Sequence, residues 1–167
     1  MLPLPIKDCF MIKYRAMDGF FRSLSKIIAT VFFIGYIPFA SGTFGSLAAL
    51  ICVWFLKPDR LLHGVLAAVL FGLGTGTAHV AESIFGEDSG RIVIDEFTGF
   101  VISVFSLPLT AGYLAAAFFL FRFFDILKPS PIRNIERAVS GGLGVMLDDA
   151  AAGLMTNLLL QLWRTVA

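Results

Sequence analysis

Apolar positions run in long blocks separated by a few charges, and do not alternate at the period of two expected of half-buried strands. No Asp, Glu, Lys or Arg falls within 27–56, 61–81 or 97–121. A membrane-crossing helix needs about 20 apolar residues, so each block is long enough to be considered. Pro38, Gly35, Gly42 and Gly45 break the first block. It predicts two shorter helices, 27–37 and 44–56, joined by a loop over 38–43. The second block, 61–81, is the clearest membrane-spanning candidate, and its Gly72, Gly74 and Gly76 allow close packing against a neighbour. Pro108 divides the third into 97–107 and 109–124, and the Leu- and Ala-rich stretch 145–165 predicts a last helix. Ile92, Val93 and Ile94 are β-branched but abut two carboxylates and a helix-compatible stretch. The pattern therefore predicts an all-α fold, a compact multihelical bundle with apolar membrane-associated helices.

Composition moves the picture further toward a membrane. Of 167 residues, 57% are hydrophobic and 15% charged, against soluble norms of roughly 45–50% and about 25%. The length suits one domain. A basic N-terminal segment, 1–26, precedes the expected helical domain, 27–167. Lys7, Lys13, Arg15, Arg22 and Lys26 outnumber Asp8 and Asp18 there, which favours a cytoplasmic N-terminus. The same charges interrupt any signal-peptide core. A net charge of +1 gives no field for nucleic acid. Cys9 and Cys52 form no CxxC pair, and two free thiols, one of them buried, are expected. Cys9 and Arg15 have the C-x5-R spacing of cysteine phosphatases, but the five bulky residues between them could not wrap a phosphate with backbone N–H groups. His63 and His79 are isolated in apolar surroundings and are expected to be packed and hydrogen-bonded, so no zinc set is indicated.

Five of the twelve carboxylates sit in apolar or Gly-rich flanks: Asp95-Glu96, Asp125 and Asp148-Asp149. Acids in such surroundings are costly unless paired or bound to a cation. Mg²⁺ takes oxygen ligands and commonly binds through carboxylates plus substrate phosphate. The runs on either side of Pro108 are each too short for a core of about 30 Å. An antiparallel hairpin is therefore favoured, and it would return Asp125 to the level of Asp95. Asp125 and Lys128 share a helical face, and Pro129 and Pro131 then end the helix, leaving Lys128 at a rigid helix end able to meet a phosphate. Asp148 and Asp149 follow Gly141, Gly142 and Gly144, which permit a turn, and are expected in the first or second turn of a helix; Gly153, one turn later, leaves room for a facing helix. In Gly42-Thr43-Phe44-Gly45-Ser46, Thr43 or Ser46 suits an N-cap, and free N–H groups there could hold an anion. This is not a nucleotide P-loop.

Four blocks carry a resemblance: Gly42-Thr43-Phe44-Gly45-Ser46; Ile94-Asp95-Glu96 with Gly99; Phe121-Arg122-Phe123-Phe124-Asp125-Ile126-Leu127-Lys128-Pro129-Ser130-Pro131-Ile132-Arg133; and the run from Gly141-Gly142-Leu143-Gly144 through Asp148-Asp149 to Gly153. In their order, over about 40–155, they resemble the signature blocks of the phosphatidylglycerophosphatase A family. The resemblance implies a helical, Mg²⁺-dependent enzyme of the bacterial inner (cytoplasmic) membrane. Its substrate would be the lipid phosphatidylglycerophosphate, hydrolysed to phosphatidylglycerol and phosphate on the cytoplasmic side. On this expectation Glu96, Asp148 and Asp149, with Asp95 beside them, hold Mg²⁺. Lys128 and Arg133 neutralise phosphate charge, and Asp125 orients Lys128 or acts as general base. Backbone at Thr43, Gly45 and Ser46 binds a phosphate oxygen. The expected partners are the lipid and the membrane, not nucleic acid, with room for a homo-oligomer. The rival class is a small cation-binding transporter or channel subunit, whose acids would be spread through the bilayer depth.

Overall fold

The apolar blocks become helices whose ends are set by caps, prolines and left-handed residues. The structure is a computed structural model that describes residues 19–86, 89–130, 132–134 and 139–166. In chain order come α1 (19–29), a 3₁₀ turn Ile34–Tyr36, α2 (Ser41–Leu56), α3 (Arg60–Phe85), α4 (Ile94–Ser103), α5 (Ala111–Leu127) and α6 (Gly142–Val166). No strand occurs among the described residues; Ile92 and Val93 form a buried approach to α4, with the Val93 N–H donating to the Ala29 carbonyl.

Two predicted boundaries move. The stretch 27–37 is not one helix: α1 ends at 29, and Val31, Phe32 and Phe33 adopt φ of 44°, 52° and 72°. Thr30 organises this reversal. Its hydroxyl donates to the Lys26 carbonyl and accepts from the Phe33 N–H. The second helix starts at Ser41 rather than 44, after Ala40 in the left-handed region with no side-chain cap. Elsewhere side chains mark the starts. Asp59 accepts from the Leu62 N–H at 2.8 Å, and Thr110 from the Tyr113 N–H, each satisfying an otherwise orphaned first-turn donor.

Short α4 is the hub. It packs most extensively on α6 and α2, then on α3. Phe100 is fully buried against the edges of Phe118 and Phe121 from α5, so α5 returns antiparallel to α4 across the Pro108 connection, as the hairpin required. Gly74 of α3 meets Met146 and Ile94, while His63 reaches Val101; α3 therefore runs opposite to α4. Gly99 meets Gly153, and Ser103 meets Asn157, so α4 and α6 run parallel.

The polar side chains of this core close helix ends. His63 is buried, with Nε2 2.9 Å from the Val101 carbonyl. The Asn157 amide donates to the carbonyls of Ser103 (3.0 Å) and Phe105 (2.8 Å). Asn157→Leu strands the Ser103 carbonyl and leaves the Phe105 carbonyl only the longer contact from the Gln161 amide; it should cost about 1–3 kcal/mol, read as a lower melting temperature in detergent, and an unchanged melt would remove this role.

Among the described residues, α3 and α6 are long and apolar enough to cross a membrane. Large apolar side chains face outward along α2 (Ile51, Phe55), α3 (Leu61, Val65, Val69, Leu73), α5 (Phe119, Phe123) and α6 (Leu154, Leu158, Leu162). Gly72 and Gly76 face open space, and only Gly74 of that trio packs inward. Cys52 is exposed on α2; Cys9 and Arg15 lie outside the described residues.

Candidate active site

The starts of α2, α4 and α6 and the end of α5 converge at one level of the bundle. The approach depends on absent side chains. A Cβ at Gly153 would strike the Gly99 carbonyl, and one at Gly99 would lie 2.7 Å from the Asp149 carbonyl and 2.7 Å from the Phe121 ring. That contact sets Asp149, one turn before Gly153, beside Asp95 and Glu96, one turn before Gly99. Gly42 does the same for α2: a Cβ there would run into the Glu96 carboxylate, and Arg122 Nη1 would be 3.1 Å away.

Carboxylate oxygens of Asp95, Glu96 and Asp149 all lie within 4.8 Å of one another. Asp125 comes within hydrogen-bonding reach of Asp149, as Asp95 does of Glu96. Asp95 Oδ1 and Glu96 Oε2 are cut off from solvent and have no hydrogen-bond donor among the described residues. Burial pushes the Asp95 carboxyl well above the usual carboxylate range, and the Glu96 charge adds to it. Burial also raises Glu96, and the Asp125 charge adds to this, while contact with Asp95 and the Arg122 charge pull the other way. Three acids facing one another with orphaned oxygens form a donor set that suits a hard divalent cation. A cavity of about 80 Å³ lined by Ser89, Gly90, Ile92, Asp95, Glu96 and Val145 opens beside them, large enough for water and a small ion.

The cations are arranged differently from the sequence expectation. Lys128 caps α5 with φ 41°, and its Nζ donates to Asp148 Oδ2 at 2.7 Å. Asp148 Oδ1 also accepts from the Asp149 N–H, so Asp148 holds the lysine while Asp95 completes the carboxylate trio. Asp125 forms an ion pair with Arg122, one turn earlier. Arg122 received no role from the sequence, although its i, i+3 spacing to Asp125 was a visible signal. Its side chain is largely buried, and its Nε has no hydrogen-bond partner among the described residues.

The block 42–46 shifts as well. Because α2 starts at Ser41, the amides without helical partners are those of Ser41, Gly42 and Thr43. Gly45 and Ser46 sit inside the helix. Gly45 packs on Val93, and the buried Ser46 hydroxyl donates to the Gly42 carbonyl. Thr43 is therefore not an N-cap but the last residue whose amide lacks a helical partner. The Ser41 hydroxyl donates to the Gly90 carbonyl at 2.6 Å, tying this turn to the approach to α4. Arg133 is exposed and donates weakly to the Leu127 carbonyl at the end of α5, outside the cluster. Asp148 and Asp149 fall in the second turn of α6, past the N-terminal charge of the helix.

The family model for phosphatidylglycerophosphatase A matches residues 27–164. The chain belongs to this family. A phosphatidylglycerophosphatase A of Escherichia coli strain K12 is 37% identical over 134 residues, 78% of this chain and 77% of its own length. One from Haemophilus influenzae is 39% identical over 132 residues, 77% of this chain and 81% of its own. A Bacteroides thetaiotaomicron protein provisionally named phosphatidylinositol-3-phosphatase is 41% identical over 152 residues, 86% of this chain and 95% of its own. No solved structure matches. Family membership accounts for the order of the four blocks, and the fold shows why blocks so distant in sequence meet at one level.

Proposed function

We propose that this chain hydrolyses phosphatidylglycerophosphate to phosphatidylglycerol and phosphate, with Mg²⁺ held by Asp95, Glu96 and Asp149. The observation that carries this reading is the carboxylate trio of buried Asp149 and half-buried Asp95 and Glu96, the last two with orphaned oxygens, set beside a lysine held by Asp148. Bound Mg²⁺ would neutralise phosphoryl oxygens and supply an acidified water. Lys128 offers a point charge to the phosphate at the end of α5. Arg122 holds Asp125 and contributes a second positive charge. The free first-turn amides at Thr43 and its two predecessors add donors for a phosphate oxygen. Asp125 accepts the proton of the attacking water. The new P–O bond forms as the bond to the glycerol oxygen breaks; that oxygen takes a proton from solvent water, and Asp125 returns its proton to solvent. Arg133, outside the cluster, meets the headgroup at the rim.

The surroundings favour a lipid. Below the acids, α2 extends about 24 Å, and α6 about 26 Å from Asp149 to Val166, both faced with exposed apolar side chains. The acids share one level at the edge of this belt, where a lipid phosphate would lie. That arrangement disfavours the transporter reading, which needs acids spread through the bilayer depth. Lys26, Arg91, Arg122, Lys128 and Arg133 sit at the acidic end, against Lys57, Arg60 and Arg164 at the other. This asymmetry supports a cytoplasmic-facing site in a bacterial inner membrane.

The test is phosphate release in mixed micelles, with phosphatidylglycerophosphate and phosphatidylinositol 3-phosphate compared because of the third relative's name. Release from phosphatidylglycerophosphate should stop in EDTA, return with Mg²⁺, and exceed that from the inositol lipid. Lys128→Ala should lower kcat/KM by roughly a hundred-fold or more, the scale of losing one preorganised charge partner of a phosphoryl group. Metal-independent release, or a preference for the inositol lipid, would overturn the reading.

A further inference from the structure

The end of the bundle away from the acids carries a second, differently built site. A cavity of about 480 Å³ there is lined by Pro58, Arg60, His63, Ser106, Pro108 and Arg164. Its lining is next in sequence, at 109–110 and 163–164, to that of an apolar groove of about 820 Å³ between α5 and α6, with Tyr113, Ala116, Leu120, Leu159 and Trp163 in its walls. Among the described residues, no carboxylate forms an ion pair with the arginines at this end. Asp59 spends its carboxylate as the cap of α3. Arg164 donates to the Ser106 carbonyl, and Arg60 has no carboxylate partner among the described residues.

Depth makes this charge consequential. Measured from the level of the acids along α2 and α6, the apolar belt above it is about 24–26 Å tall, less than a hydrocarbon core of about 30 Å. Two guanidinium groups at the base of such a belt lie at or just inside the opposite headgroup layer, where an unpaired charge is costly. Guanidinium pairs match phosphate geometry closely, and Trp163 and Tyr113 are side chains favoured at the interfacial level.

We propose that this end holds an anionic phospholipid of the opposite leaflet, its phosphate between Arg60 and Arg164 and one acyl chain in the α5–α6 groove. The inference rests on the bundle being membrane-embedded, not on the hydrolytic reading. The full chain, purified in neutral detergent, is offered phosphatidylglycerol or phosphatidylcholine and examined by native mass spectrometry. The wild type should retain one phosphatidylglycerol about tenfold better than phosphatidylcholine, the scale of a charge-assisted contact. Arg60→Gln with Arg164→Gln should lose the preference, and the corresponding lysine pair should keep most of it, which separates charge from folding. Ala116→Trp, filling the groove, should reduce retention of both lipids. Asp149→Asn should retain the preference, which separates this site from the acids. Preference surviving the double glutamine variant, or vanishing in Asp149→Asn, would overturn the proposal. A wild-type dimer split by Ala116→Trp with lipid retention unchanged would also overturn it, making the groove a contact between copies.

Discussion

Asp149→Asn should yield a protein that is nearly inactive yet more heat-stable than the wild type when metal is removed. Asp149 is almost fully buried and faces Asp125, Asp95 and Glu96. Without a cation, the negative charges gathered here repel one another. An amide removes one charge and brings N–H donors to oxygens that lack them. A gain of about 1–3 kcal/mol is expected, or several degrees in melting temperature for a chain of this size. Millimolar Mg²⁺ should invert the order. The wild type gains by mass action and the variant does not, while kcat/KM of the variant stays down by at least about a hundred-fold, more than the loss of a supporting residue around a metal. Thermal melts in EDTA and in Mg²⁺, read beside phosphate release, decide this. A variant destabilised in EDTA would mean that Asp149 serves the fold rather than a cation.

Gly153→Val should be the most damaging single change away from the acids. Its side chain has no space, because the first added carbon meets the Gly99 backbone carbonyl and then Ile102 Cβ at 3.3 Å. Backbone cannot yield as a side-chain end can, so α4 and α6 must separate. Overpacking of this kind costs about 1–3 kcal/mol or more. Because Asp149 and Glu96 each sit one turn from the contact, a small shift should also lower activity by tenfold or more. Gly76→Ala is the matched control. It faces open space, and an exposed helical glycine replaced by alanine gains up to about 1 kcal/mol. Equal melting temperatures for Gly153→Val and the wild type would refute the close crossing.

These two residues also show where the sequence stopped being informative. The charge-free blocks and Pro108 were enough for an all-helical bundle and for a hairpin bringing Asp125 back to Asp95. They could not show that Thr30 and three left-handed residues would stop α1, since 27–37 contains no early breaker and its apolar pattern is continuous. Nor could they show that α2 begins at Ser41, because the start is held by a contact with Gly90, 49 residues away, and not by a local cap. In the site, isolated acids in apolar flanks announced that a cluster would form. Which acids face one another depends on the rotation of α4 against α6. That rotation is fixed by glycine contacts invisible to spacing alone, so Asp95 joins Glu96 and Asp149 while Asp148 turns to Lys128. Arg122 went without a role because a cation in an aromatic run reads as a helix-surface residue until the fold buries it.

Anomalous diffraction from crystals grown with Mn²⁺ in place of Mg²⁺ tests the gathering of these acids around a cation most directly. One strong peak is predicted among the carboxylates of Asp95, Glu96 and Asp149, absent from Asp149→Asn. Manganese bound elsewhere, or none at millimolar concentration with the three carboxylates still together, would contradict it.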